Sequence, residues 1–262
     1  MNYFAYRSAA GRYTRSRPFF HPLVIGMIKR RLDLRETVGH ALDAGCGTGQ
    51  SSIALKEIAE RVVGTDVSRE MLREAPREEG LRYVEAHAEQ MPFHDASFDL
   101  LTASLSFHWF DRARFLAEAH RLLRPSRWLV VYNNWFTGEM KDNADYALWH
   151  RGVYLRRFPS PPRHSQPLDE ETAAQFGFRF LAAESYANEV VFAPDELATY
   201  LTSQSNVIAA VEQGRESLES IYSWLADAFR PLFKESKAAF AFGGVIWYLQ
   251  KKASSKEVGR EA

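Results

Sequence analysis

From residue 40 onward, short apolar runs alternate with amphipathic stretches. The runs are His40–Asp43, Arg61–Asp66, Leu81–Ala86, Phe98–Ser104 and Trp128–Tyr132. Most lack strict two-residue alternation, as expected of strands covered on both faces. Between them, apolar side chains recur at helical spacing. Leu55, Ile58 and Ala59 fall at i, i+3, i+4, and Phe115, Ala119 and Leu122 at i, i+4, i+7. Strands and helices alternating in this way predict βαβ units with right-handed crossovers. The expected fold class is therefore α/β, with a Rossmann-like, doubly wound, mostly parallel sheet.

The pattern changes after Tyr132. Residues 133–177 hold Trp135, Tyr146, Trp149, Tyr154, several arginines and the turn-rich Pro159–Pro167 without a clear strand, which predicts a helical insertion. Phe178–Phe192 reads as β, Pro194–Lys237 as helical and Ala239–Lys251 as a last strand, completing seven. The organisation expected is one domain over 1–262. Residues 1–39 form an N-terminal helical cover, 40–132 a ligand-binding core, 133–177 a helical cap, and 178–262 complete the sheet around a helical insertion at 194–237. Helical excursions before the closing strands are candidates for a lid.

Composition narrows the function classes. The 262 residues are 46% hydrophobic and 25% charged, enough for a sizeable core. Lys+Arg and Asp+Glu both number 33, and the absence of a basic excess argues against a nucleic-acid partner. The single cysteine, Cys46, allows neither an internal disulfide nor a multi-thiolate metal site, and no metal is expected. No run approaches the roughly 18 apolar residues of a membrane span, and the first residues lack a leader pattern. A cytoplasmic protein without a membrane partner is expected.

The strongest local signal is Ala41–Gln50, ALDAGCGTGQ, at the junction of a predicted strand and helix. Glycines at 45, 47 and 49 allow positive φ and close ligand approach, and free N–H groups of a new helix favour an anion. The spacing G-x-G-x-G is not the dinucleotide fingerprint, and no Lys-Ser/Thr follows to make a triphosphate loop. A smaller adenosine-type ligand fits better. Asp66, 23 residues after Asp43 at the end of the second run, could accept both hydroxyls of a ribose. Helix capping is the other reading, and Ser68 is better placed for that task. The segment Ala86–Phe93, AHAEQMPF, could meet an adenine edge.

Taken in order, DAGCGTGQ, VVGTDVSREML, EAHAEQMPFHDASFDLL, FHWF and HRLLRPS resemble the class I S-adenosylmethionine-dependent methyltransferases across roughly residues 40–132. Tyr13-Thr14-Arg15-Ser16-Arg17-Pro18 with Pro22, and His108-Trp109-Phe110-Asp111, resemble small-molecule members related to trans-aconitate methyltransferase. The resemblance implies S-adenosylmethionine as cofactor. It places Asp43, Gly45, Cys46, Gly47 and Gly49 around the methionine part, Asp66 on the ribose, and Val67 and Met71 beside the adenine. His87, Ala88 and Glu89 would form the loop at the adenine edge, with the Ala88 N–H facing the ring. Ser104 would lie at the amino-acid end, and Tyr13 and Arg17 would close over the carboxylate. Two positions depart from the family. His87 stands where an Asp is usual and can accept from the adenine amino group only through a neutral ring nitrogen, so mild acid should weaken cofactor binding. Pro125-Ser126-Arg127 replaces Pro-Gly-Gly, which predicts a differently built turn.

Methyl transfer from a sulfonium is an in-line displacement, so the protein mainly orients the acceptor and excludes water. His108 is a candidate base or hydrogen-bond donor, with a structural histidine bonded to backbone as the competing reading. Trp109, Asn134, Trp135 and Trp149 are candidate substrate contacts, and an aromatic and arginine-rich cap suits a small planar or carboxylated acceptor. The function expected is transfer of a methyl group to an oxygen or carbon of a small molecule, carboxylates included. A nucleic-acid methyltransferase would carry an Asn/Asp-Pro-Pro-Tyr/Phe-like motif where this chain reads Ser104–Trp109, SLSFHW. A non-catalytic S-adenosylmethionine-binding protein is the other alternative. Oligomeric state is not legible.

Overall fold

Strand β4 (Phe98–Ser104) is buried at every position, because β1 (Val38–Ala44) and β5 (Leu123–Met140) flank it in a parallel ladder. With β2 (Ala59–Asp66), β3 (Leu81–Glu85), β6 (Phe178–Phe192) and β7 (Ala238–Lys251) it makes a seven-stranded sheet in the order β3-β2-β1-β4-β5-β7-β6. Neighbours from β3 to β5 are all parallel. The order reverses between β1 and β4, the switch point at which open α/β sheets bind ligands beyond their carboxyl ends. The computed structural model describes residues 17–159 and 168–253, so Tyr13 and the arginine at 163 lie outside the described residues.

The helices are α1 (His21–Arg31), α2 (Gln50–Leu55), α3 (Arg69–Glu74), α4 (Arg112–Leu122), α5 (Ala144–Trp149), α6 (Leu155–Arg157), α7 (Glu170–Gln175), α8 (Pro194–Thr202), α9 (Ser205–Glu212) and α10 (Leu218–Phe229). A π turn over His150–Tyr154 joins α5 to α6. The chain forms two compact units. The larger contains residues 19–133, 168–185 and 245–253; the smaller contains 17–18, 134–159 and 186–244. In the larger, the α4 stripe Phe115, Ala119 and Leu122 is fully buried with Leu101, Leu129 and Val131 of the sheet. In the smaller, rings dominate, with Tyr146, Tyr154, Phe229 and Phe240 all fully buried. Among the described residues no helix is long and apolar enough to cross a membrane.

The sequence pattern predicts most elements closely, with three differences. Residues 133–140 continue β5 instead of opening the helical insertion. Trp135, Thr137 and Glu139 are exposed while Phe136, Gly138 and Met140 turn inward, a two-residue alternation interrupted in the sequence by Asn133-Asn134 and Gly138. The apolar trio Leu55, Ile58 and Ala59 is buried, but only Leu55 is helical, since α2 stops there and β2 begins at Ala59. The third difference is at Pro125-Ser126-Arg127, which lies at the start of β5 where its pairing with β4 shifts register. Ser126 itself takes the left-handed conformation, φ +60°, and its carbonyl accepts from Gln250 Nε2 at 2.9 Å.

Candidate functional site

The glycine loop follows β1 at its carboxyl end and is held from both sides. Gly45, Gly47 and Gly49 have φ of +67°, +56° and +78°, the left-handed region that side chains resist. A Cβ on Gly45 would lie 2.6 Å from the Cβ of Ser106 and 2.9 Å from Phe110. A Cβ on Gly49 would run into the Tyr83 phenol. Among the described residues, a Cβ on Gly47 would meet nothing within 4 Å. The Cys46 N–H donates to Thr65 O and the Gly49 N–H to Cys46 O, both at 2.9 Å, closing the turn. The Cys46 thiol is buried, and burial followed by the charges of Asp43 and Asp66 pushes its pKa up; it fills space and does not react.

Two carboxylates anchor this loop in different ways. Asp43 is fully buried; its Oδ2 accepts from Ser51 Oγ at 2.5 Å and Ser52 Oγ at 2.7 Å, and its Oδ1 from Thr102 Oγ1 at 2.9 Å. It thereby ties β1 to α2 and β4. Burial raises its pKa against the pull of those three hydroxyls. Asp66 accepts from the Gly47 N–H at 2.9 Å through Oδ2 and from the Ser68 N–H at 2.8 Å through Oδ1. Burial raises its pKa too, opposed by backbone donors at Ser68, Gly47 and Val67. Each Asp66 oxygen keeps a second lone pair for a further donor. Ser68, not Asp66, caps α3, its Oγ accepting from the Met71 N–H at 3.3 Å. Val67 is 43% exposed, while Met71 is buried.

The segment after β3 is fastened to α4. Arg121 donates to Phe93 O at 2.8 Å, Met91 O at 3.2 Å and Asp95 at 2.7 Å, and makes two bonds to Glu118. Glu118 in turn accepts from the Met91 N–H at 2.7 Å. Burial works against the Glu118 anion, but the Arg121 and Met91 donors hold its pKa below the ordinary value. Glu89 accepts from the Asp111 N–H at 2.9 Å, at the start of α4, so one of its oxygens is given to the framework. Ala88 is buried and His87 exposed.

Beyond β4 the chain turns sharply. Leu105 has φ +54°, unusual for a branched side chain, and its N–H donates to Tyr132 O at 3.0 Å. Ser106 Oγ donates to Ala44 O at 2.9 Å, joining this turn to the glycine loop. The Oγ atoms of Ser104 and Thr48 are buried with no hydrogen-bond partner among the described residues. Such orphaned hydroxyls are costly unless a ligand or water answers them. His108 lies half-buried in a single 3₁₀ turn with its ring 4.7 Å from that of Trp109, which is 38% exposed.

Sequence reasoning therefore brings Asp43, the three glycines, Cys46, Asp66, Met71, Ala88 and Ser104 into one unit. It missed Thr48, the Ser51-Ser52 pair, Ser106 and Tyr83. The serines directly follow the glycine loop and could have been noticed; Tyr83 has only its register opposite Gly64 to mark it. Other predicted residues belong to the smaller unit. Arg17 Nη2 donates to Ser203 O at 3.2 Å and its guanidinium lies 5.3 Å from the Tyr200 ring. Asn134 Nδ2 donates to Asn188 Oδ1 at 2.7 Å. Trp135 is half-exposed and packs on Gly243, whose missing Cβ leaves room for the indole. Trp149 sits among Tyr146, Tyr154, Trp224 and Phe229, with ring centres 5.4–6.0 Å away, so it builds the aromatic core of that unit. Among the described residues, no three His, Cys, Asp or Glu side chains group as a metal site needs.

Known proteins resemble this chain in family and fold. Residues 42–131 match the family described as "Methyltransferase domain". A protein of Dictyostelium discoideum named as a methyltransferase is 24% identical over 246 residues, 92% of each chain. A solved structure described as a type II methyltransferase, from Anaeromyxobacter dehalogenans, is 26% identical with a TM-score of 0.67, covering 87% of this chain and 95% of that one. A malonyl-[acyl-carrier protein] O-methyltransferase of Hamiltonella defensa is 34% identical over 105 residues, spanning only 39% of this chain and 40% of its own length.

Proposed function

We propose that this chain, a class I S-adenosylmethionine-dependent methyltransferase by its domain and fold, transfers the methyl group to an oxygen or carbon of a small-molecule acceptor, with carboxylates among the candidates. The observation that carries the reading is Asp66, held at the end of β2 by the Gly47 and Ser68 N–H groups with lone pairs to spare for a ribose. S-adenosylmethionine, when bound, supplies a methyl group already activated on sulfur.

The residues present fit that group. The space beside Gly47 admits close approach, and the buried hydroxyls of Thr48 and Ser104 lack protein partners among the described residues. Asp66 would hold the ribose, Val67 and Met71 would flank the adenine, and His87, Ala88 and Glu89 would border its edge. Asp43 acts indirectly, by fixing the loop through Ser51, Ser52 and Thr102. The buried, unpaired Cys46 suits a reducing cytoplasm.

The acceptor is argued from chemistry and relatives. Two features support a small acyl-type acceptor over nucleic acid: the chain is electrically neutral overall, and one relative, similar over about two fifths of its length, is named a malonyl-[acyl-carrier protein] O-methyltransferase. A carboxylate acceptor is ionised at neutral pH and needs orientation alone, whereas a phenol or carbon acid needs a base. His108 is the candidate for that base, and Trp109 beside it for contact to the acceptor.

The test is a methyl-transfer assay with labelled cofactor against panels of carboxylates, phenols, alcohols and acidic carbons, beside DNA and RNA. Transfer to a carboxylate that survives His108→Ala supports the carboxylate reading. A fall in kcat of about 10²–10⁴ in that variant assigns a general base and a phenol or carbon acceptor. Transfer to nucleic acid alone, or cofactor binding without transfer to any class, overturns the proposal.

A further inference from the structure

Tyr83 is absent from every motif of the site, yet its side chain reaches the glycine loop. It stands opposite Gly64 in the parallel β2–β3 ladder. A Cβ on Gly64 would lie 2.8 Å from Tyr83 Cδ1, and as close to Cys46 Sγ and Ser52 Oγ. The ring thus crosses β2 over Gly64, and its hydroxyl end lies against the α-carbon of Gly49, the residue that opens α2. Burial, followed by the charges of Cys46 and Asp43, pushes the phenol pKa up, as a hydroxyl lodged under the loop would require.

The loop is therefore gripped at both ends. Ser106 and Phe110 occupy the space a side chain on Gly45 would need, and Tyr83 the space one on Gly49 would need. Among the described residues, only the middle glycine, Gly47, borders open space, and its N–H donates to Asp66. Three left-handed glycines alternating with Cys46 and Thr48 have little intrinsic preference for one conformation, so packing at the ends decides where Gly47 stands.

We propose that Tyr83 is a positioning residue: its ring, pressed between Gly64 and Gly49, sets the place of the glycine loop and so of the Gly47 N–H and Asp66 that face the cofactor. This rests on the cofactor reading given above. Both contacts are steric: Cδ1 meets Gly64, and at Gly49 the hydroxyl is nearest with the ring atoms Cζ and Cε1 close behind it, so the ring keeps most of the contact when the hydroxyl alone is removed.

Two readouts on the whole chain test it, using Tyr83→Leu and Tyr83→Phe, with Tyr83→Met in place of the leucine variant should that one not fold. The first is amide hydrogen exchange at Gly47 and Gly49 in the ligand-free protein. The second is the Kd for S-adenosylhomocysteine by calorimetry, with KM and kcat where an acceptor is in hand. The leucine variant should exchange faster at both amides and bind about tenfold more weakly or worse, with KM raised and kcat kept, since small displacements of a binding element are costly. The phenylalanine variant should return both to within about threefold of the native protein, the rescue expected of a ring contact. Native exchange in the leucine variant overturns the proposal, as does an equal loss in both variants. Should the native protein fail to bind S-adenosylhomocysteine, the cofactor reading falls, and the exchange rates alone decide whether Tyr83 sets the loop.

Discussion

Ser126 shows how a single residue can carry a turn that glycine usually makes. Its φ of +60° costs an L-residue about 1–2 kcal/mol, part of which glycine would return as backbone entropy. Ser126→Gly should therefore stabilise the protein by about 0.5–1 kcal/mol in urea titration, with the Gln250 bond to the carbonyl retained. Glu118 makes the opposite case. It receives two Arg121 bonds and the Met91 N–H, so Glu118→Gln turns an amide donor toward other donors and should cost about 1–3 kcal/mol at neutral pH. Because its folded pKa lies below the ordinary value, its contribution is present above the unfolded value near 4.3 and is lost as pH falls through the folded one. The deficit of the variant should shrink below about pH 4. The glycines, Asp43 and Asp66 were legible in the sequence because loop chemistry demands those residue types. The Glu118–Arg121 clamp was not, since an i, i+3 charge pair on a helix reads as solvated surface.

At the scale of elements, α1 and β5 carry the clearest consequences. His21 at the start of α1 is buried, with Nδ1 3.1 Å from Tyr132 Oη on β5, and burial pushes its pKa down to about 3. The fold holds it neutral while the unfolded chain takes a proton near 6.5. Stability from this group is thus full above pH 6.5 and is lost as the pH falls toward 3. Thermal melts from pH 7 to 5 should show a downward slope in the native protein that His21→Gln flattens. Strand β5 bends where Gly138 has φ +78°, and a Cβ there would enter the His150 imidazole. Gly138→Ala should cost about 2–4 kcal/mol from the left-handed backbone and the overlap together. Gly152→Ala, whose Cβ would meet nothing within 4 Å among the described residues, should leave stability the same or higher by up to about 1 kcal/mol. Strand β4 was legible to the residue as a run buried throughout, and β6 as a stretch rich in aromatic and branched residues whose inward and outward positions largely alternate. The second half of β5 was not, since paired asparagines and a glycine resemble a turn until neighbours in the sheet supply their partners.

For the whole molecule, the distribution of predicted residues explains what could and could not be read. The residues proposed for the cofactor from Asp43 to Ser104 all fall in the larger unit, and residues 42–131 match the methyltransferase family. Arg17, Asn134, Trp135 and Trp149 fall in the smaller one. There Asn134 is bonded to Asn188 and Trp149 is packed among rings, so aromatic composition signals a core as readily as a pocket. Acceptor identity is thus the least legible part: methyl transfer demands shape more than particular side chains. Cofactor recognition does demand particular atoms, and the most direct test addresses those. Calorimetric titration of S-adenosylhomocysteine into the native protein should give one site with a micromolar Kd, and Asp66→Asn should weaken it by about tenfold or more while the fold persists. Absence of binding to the native protein, or equal binding by the variant, would contradict the assignment of Asp66 and the glycine loop as the cofactor site.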